Sequence, residues 1–147
     1  QAVSYGNQGA LLIRMGRLDE AEAVLLRCVS LCKQIQFKAE GPFLSYLASA
    51  YRQQEKWDAA KAALDSSETL LEETGQVRYV GILKCERGHL ALARKKMGVA
   101  KKCLSDAEAI ATQLEANPKS DLGHAIEQLR QHIDGHVPWY KAWFQRT

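Results

Sequence analysis

The chain has 147 residues, of which 46% are apolar and 25% charged, and a formal net charge of +3. This length can bury a substantial core, and so small a charge does not by itself indicate a nucleic-acid partner. No apolar run approaches the length of a membrane span, so we expect no membrane association. Four cysteines without a CxxC pair are typical of a reducing compartment such as the cytoplasm. Because the chain begins with Gln1, we expect it to be a fragment of a larger protein.

Hydrophobic periodicity predicts helices throughout the chain. Apolar residues recur at i, i+3, i+4 and i+7 in successive segments, which is the pattern of one buried helical face. Gly16, Gly75 and Asn117-Pro118 mark helix ends, and Ser120 is well placed to cap the helix that follows it. The predicted helices cover about 2–15, 18–36, 42–54, 77–94, 97–115 and 121–134. A further helix is predicted between 54 and 77, ending at about residue 74, and Pro138 opens a short final helix.

A short segment at the first turn between helices recurs twice. It reads Met-Gly-Arg-Leu-Asp-Glu-Ala over 15–21, a related segment follows 39 residues later at 54–60, and a third follows a further 40 residues on at 95–100. Each copy pairs a large apolar residue with an alanine three positions on, namely Leu18 with Ala21, Trp57 with Ala60 and Met97 with Ala100. Self-similarity at this period is typical of a solenoid of stacked helix pairs. We therefore expect a single domain with repeats over about 2–39, 40–76 and 77–117 and a degenerate capping repeat over 118–147.

These repeats resemble the tetratricopeptide repeat (TPR) family. The resemblance lies in Gly9, Leu12, Gly16, Leu18 and Ala21 of the first copy and in Leu47, Ala48, Tyr51, Trp57 and Ala60 of the second. It implies an all-α, right-handed superhelix of antiparallel helix pairs, here three repeats plus a capping helix and a short terminal helix. The period of 39–40 residues exceeds the usual 34 and resembles that of bacterial regulators of the maltose-activator type and of peptide-sensing aspartate-phosphatase regulators.

The resemblance also implies a function. In TPR proteins the first helix of each pair lines a concave groove that binds a protein or peptide, so we expect a non-enzymatic interaction module of a bacterial regulatory or signalling protein. We expect no cofactor and no metal, and we do not expect nucleic acid to be the partner. Carried over by position, the predicted groove contacts are Ile13, Arg14, Ser45, Ser49, Arg52, Gln53, Ile82, Cys85, His89 and Leu92.

The alternative is an enzyme or a metal-binding domain. Cys85 and His89 are spaced i, i+4, which is the minimum for an activated thiol, but such a thiol also needs an orienting group and an oxyanion site. Glu86, the nearest acid, is expected to point elsewhere on the helix. His132 and His136 have the spacing of zinc ligands, although Gly135 lies between them and no second ligand pair is nearby.

Charge and aromatic residues are distributed unevenly. Eight basic residues and one acid lie between Arg78 and Lys102, which predicts a solvated turn or a contact with an acidic protein surface. Four aromatic residues lie together near the end of the chain, at Trp139, Tyr140, Trp143 and Phe144. We expect them to cover the open end of the last helix pair, and the alternative is an anchor for self-association or for a partner.

Overall fold

The computed structural model describes residues 1–135, so the predicted final helix and the aromatic residues at 139–144 lie outside its description. Within those residues the chain is all-helical, as predicted. Its helices are α1 (Ala2–Arg14), α2 (Leu18–Gln34), α3 (Glu40–Gln53), α4 (Trp57–Glu73), α5 (Val77–Ala93), α6 (Met97–Gln113) and α7 (Asp121–Gly135). The main difference from prediction is that α3 begins two residues before Pro42. Proline is tolerated there because the first turn of a helix leaves its N–H groups without intrahelical partners.

The turns between consecutive helices share one backbone conformation. In residues 1–135 each contains one residue in the left-handed region, with φ between 50° and 74°; these are Gly16, Gln36, Glu55, Gly75, Lys95 and Glu115. The next N–H then bonds a carbonyl five residues back, as Arg17 N does to Leu12 O at 2.9 Å and Lys56 N does to Tyr51 O at 2.8 Å. This is the Schellman helix end. Because the same end recurs at a spacing of 39 or 40 residues, every helix pair is built alike.

The helices form two layers of a solenoid. Short turns pair α1 with α2, α3 with α4 and α5 with α6, and each pair packs on the next through α2 and α3, α4 and α5, and α6 and α7. The first helices also contact one another in order, α1 with α3, α3 with α5 and α5 with α7. We call the surface formed by α1, α3, α5 and α7 the first-helix layer. The architecture is therefore the predicted TPR-like stack of helix pairs.

Small residues set the close approach of the helices. Ala21, Ala60 and Ala100, the alanines of the repeated segment, are each fully or almost fully buried. A methyl group added at Gly9 would clash with Leu25, and one added at Gly88 would lie 2.6 Å from a methyl carbon of Leu129. Since interiors pack at the density of organic crystals, these positions have no room for a larger side chain.

Helix α7 continues the stack as a capping helix. Ser120 caps it as predicted, its hydroxyl accepting a hydrogen bond from the N–H of Gly123 at 3.1 Å. The apolar stripe of α7 consists of Leu122, Ile126, Leu129 and Ile133, all of which are buried. This stripe packs on both α5 and α6. Gly81 and Gly88 of α5 lack side chains, and this leaves room for Leu122 and Leu129.

Candidate functional site

The structure places the predicted groove contacts at different depths in the first-helix layer. Arg14 and Gln53 are exposed, whereas Ile13, Ser49, Arg52, Ile82 and Leu92 are partly exposed. Ser45, Cys85 and His89 are buried, in contrast to the surface positions expected for groove contacts. Fewer of the predicted contacts are therefore at the surface of this layer than the repeat pattern implied. Ser45 and Cys85 are small side chains that lie between neighbouring helices instead.

Ser45 joins the two helices of the second pair. Its hydroxyl lies 3.0 Å from that of Ser67 on α4, and Ser67 donates a 2.7 Å hydrogen bond to the carbonyl of Gly41. Ser67 is fully buried, so both hydroxyls would be costly to leave without partners. The role of Ser45 is therefore to hold α3 against α4.

A charged pair crosses the first-helix layer between α3 and α5. Arg52 Nε donates to Glu86 Oε1 at 2.5 Å, and the two side chains are 22% and 15% exposed. Glu86 was expected to point away from Cys85 and His89, and it binds Arg52 on the neighbouring helix, a partner that the sequence did not predict. Burial raises the pKa of Glu86, and the adjacent Arg52 charge acts in the opposite direction. Each charge of such a buried pair depends on the other, so the loss of either would leave an uncompensated charge inside the layer.

Two histidines meet between α5 and α7. The Nδ1 atoms of His89 and His132 are 3.0 Å apart, and the rings cross at 70° with their centroids 4.8 Å apart. Burial lowers the pKa of His89 to about 4, with smaller contributions from the charges of Arg52 and His132. His89 is therefore a neutral imidazole at pH 7.

The sequence did not predict this contact. Spacing grouped His89 with Cys85 and His132 with His136, but the structure joins one member of each pair across 43 residues. The available signal was the repeat register, since His132 lies 40 residues after Leu92 and so belongs to the same face of the first-helix layer. His136 lies outside the described residues.

The cysteines do not have the properties of a nucleophile. Burial is the main cause that raises the pKa of Cys85 to about 12, and the nearby Glu86, Cys103 and Glu108 act in the same direction. A thiol with that pKa is protonated at neutral pH. Cys28 is likewise buried, has a pKa of about 12, and donates a hydrogen bond to Ala2 O at 3.1 Å. Residues 1–135 contain no group of three or more histidine, cysteine and acidic residues placed to hold a metal.

Two cations of the basic stretch are paired within the molecule. Glu68 of α4 accepts hydrogen bonds from Lys84 at 2.9 Å and from Arg87 at 2.6 Å, and Arg87 also reaches Asp65 at 2.8 Å. Further along, the guanidinium of Arg94 lies 5.8 Å from the ring centroid of Trp57. Lys84 and Arg87 therefore join α5 to α4, whereas the lysines of the following turn are exposed.

The comparison with known families finds a match in the first helix pair. Residues 2–35 match the tetratricopeptide repeat family. This segment is α1, its turn and α2, and the match supports the TPR resemblance that the repeated segment predicted. No curated protein and no solved structure matches the chain. TPRs are generally protein–protein interaction modules, and the later helix pairs repeat the turn geometry of the matched one. In residues 1–135 no helix is both long and apolar enough to cross a membrane.

Proposed function

We propose that this chain is a non-enzymatic TPR module that binds a protein or peptide against the first-helix layer, within a bacterial regulatory or signalling protein. The observation that carries this proposal is the set of exposed side chains on that layer which the fold does not use. Arg14 has no hydrogen bond or ion pair within residues 1–135, and Val3 and Tyr46 are 48% and 39% exposed. Arginine and aromatic side chains are enriched at interface hot spots, so these residues are the contacts that this layer offers a partner.

The chemistry of the layer changes along its helices. Val3 near the start of α1, Tyr46 at the middle of α3 and the partly exposed Ile82 in the first half of α5 supply apolar contact. Arg14 and Gln53 lie at the carboxyl-terminal ends of α1 and α3, one repeat of 39 residues apart, and supply polar contact. The ligand that fits is an extended peptide that places an apolar side chain beside Tyr46 and an acidic group beside Arg14.

Arg52 and His89 have a different role in this proposal from the one predicted. Arg52 is held by Glu86 and His89 by His132, so both are parts of the layer that keep α3, α5 and α7 in position. A change at either residue would alter the shape of the layer as well as its contacts. Binding tests are therefore sharper at Arg14 and Tyr46, which are exposed and form no polar link between helices in residues 1–135.

A displayed peptide library tests the proposal. Peptides selected on the wild-type chain should share an apolar residue and an acidic residue, and their affinity should fall about tenfold or more in Tyr46→Ala or Arg14→Glu, since interface hot spots contribute at least about 1.4 kcal/mol. Lys33→Glu makes the same charge change at an exposed position on α2, in the other layer, and should leave binding unchanged. Selected peptides that bind Tyr46→Ala and Arg14→Glu as tightly as wild type would refute the assignment of this layer.

The predicted self-association through Trp139, Tyr140, Trp143 and Phe144 remains a prediction, because these residues lie outside the described part of the chain. Such self-association would be a second interaction, separate from the one proposed for the first-helix layer. Analytical ultracentrifugation of the full chain and of a Trp139→Ala, Trp143→Ala variant measures it directly. A monomeric wild-type chain would contradict self-association.

A further inference from the structure

The contact between His89 and His132 has the form of a ligand pair. Both Nδ1 atoms carry a lone pair when the imidazoles are neutral with their protons on Nε2, and the two atoms are 3.0 Å apart. His89 is only 9% exposed, whereas His132 is an exposed residue of α7. The pair is therefore fixed on the α5 side and open to solvent on the α7 side, which gives an ion a route of entry.

The surroundings keep His89 available to a metal. Its ring is buried between α5 and α7, and within residues 1–135 its hydrogen-bond partner is the ring of His132. The nearest fixed cation is Arg52, whose charge would repel a metal ion, but Glu86 binds that guanidinium at 2.5 Å. The net charge facing the two rings from α3 and α5 is therefore close to neutral.

We propose that His89 and His132 form a two-nitrogen site for a divalent transition-metal ion, Ni²⁺ or Cu²⁺, whose remaining positions are filled by water. The distance is compatible with two neighbouring ligand positions on one ion. With bonds of about 2.0–2.1 Å to imidazole nitrogen, two nitrogens 3.0 Å apart subtend roughly 95° at the ion. That is the cis angle of a tetragonal site, which Cu²⁺ and Ni²⁺ adopt with nitrogen and oxygen ligands, and it is narrower than the tetrahedral angle that Zn²⁺ prefers.

Binding exchanges a hydrogen bond for two coordinate bonds. In the free protein one ring donates its Nδ1 proton to the other Nδ1, which explains the short separation. When the ion enters, that proton leaves Nδ1 and the same ring is protonated at Nε2 instead, so both imidazoles stay neutral. The ion then joins α5 to α7 and stabilises the capping helix, because a ligand that binds only the folded state shifts the unfolding equilibrium.

Titration of the untagged full chain with NiCl₂ or CuSO₄ tests the site. Calorimetry should give one ion per chain, Cu²⁺ electron paramagnetic resonance should show nitrogen ligands, and Ni²⁺ should raise the melting temperature. All three signals should be lost in His89→Ala and in His132→Ala. His124→Ala removes an exposed histidine of the same helix, and His136→Ala removes the partner that spacing suggested for His132; both should bind as the wild type does.

Each other outcome counts against the proposal. A wild-type chain without stoichiometric binding would mean that the two rings form only a hydrogen bond. Binding that survives in His89→Ala and is lost in His136→Ala would assign the ion to His132 and His136 instead. Because His89 is buried, circular dichroism must show that its variant is folded. His132→Ala, which changes an exposed residue, provides the test that does not depend on packing.

Discussion

The left-handed turn residues give a prediction whose size follows from the backbone alone. Glu55 and Lys95 adopt φ values of 61° and 60° at the position where the first helix pair has Gly16, at 74°. Neither side chain makes a hydrogen bond or ion pair within residues 1–135. Replacing either residue with glycine should therefore remove backbone strain without removing a contact.

The magnitude is a difference between two opposing effects. The left-handed conformation costs an L-residue about 1–2 kcal/mol, and glycine relieves that cost. Glycine also gives the unfolded chain more freedom, which lowers stability by about 0.4–1 kcal/mol. We expect Glu55→Gly and Lys95→Gly each to raise the free energy of unfolding by about 0.5–1 kcal/mol. The two turns are distant, so the double variant should gain about 1–2 kcal/mol.

Urea denaturation followed by circular dichroism measures this change. The midpoint should rise while the slope m stays constant, because the surface exposed on unfolding does not change. The two residues carry opposite charges, so a gain of the same sign at both, retained in 1 M salt, excludes an electrostatic origin. Conversely, Gly75→Ala should lower the free energy of unfolding by about 1 kcal/mol, because φ is 66° there. An added Cβ would meet nothing within 4 Å, so the loss would come from the backbone conformation and not from a clash. A loss of stability in both glycine variants would refute the turn geometry.

Three further results are expected. Gly88→Ala should lower the free energy of unfolding by about 1–3 kcal/mol in urea denaturation because the new methyl meets Leu129, whereas Gly98→Ala, which points into open space, should change it by less than about 1 kcal/mol. The native chain should react slowly with a thiol reagent at pH 8, since the Cys85 pKa is about 12, and all four cysteines should react in denaturant. The free energy of unfolding should fall by about 3 kcal/mol between pH 6.5 and pH 4, because the unfolded chain protonates His89 and the folded chain does not; His89→Gln should flatten this slope.

Clear contradictions exist for each of these. Equal losses of stability in Gly88→Ala and Gly98→Ala would mean that α5 and α7 are not in close contact at Gly88. A single native thiol that reacts much faster than the others would revive the enzyme alternative. A stability profile between pH 6.5 and pH 4 that is identical in wild type and His89→Gln would mean that His89 is not buried as a neutral ring.

The elements of the fold were readable from the sequence because each is fixed locally. The repeated turn marks helix ends through residues that lie next to one another, and the boundaries of α5 and α6 agree with prediction to within two residues. The position of each buried stripe follows from spacing on a single helix, as Leu122 to Ile133 shows for α7. Periodicity therefore defines the helices and their order.

The candidate site could not be read in the same way because its contacts lie between helices. Spacing shows which residues share a face, but the rotation of one helix against its neighbour decides which of them meet. Arg52 and Glu86 are 34 residues apart, and His89 and His132 are 43 apart. Cys85 was expected to be accessible and is buried, and the partner of Glu86 on α3 was not predicted, both for this reason.

The junctions within the first-helix layer are not held together in the same way. In residues 1–135 this layer contains three helix–helix junctions, α1 with α3, α3 with α5 and α5 with α7. Polar links cross two of them, Arg52 with Glu86 and His89 with His132. Between α1 and α3 the described residues provide no such link, and Gly6 rests against the ring of Phe43. The first junction therefore depends on close apolar packing alone, and a substitution that enlarges Gly6 would act there without any polar link to hold α1 against α3.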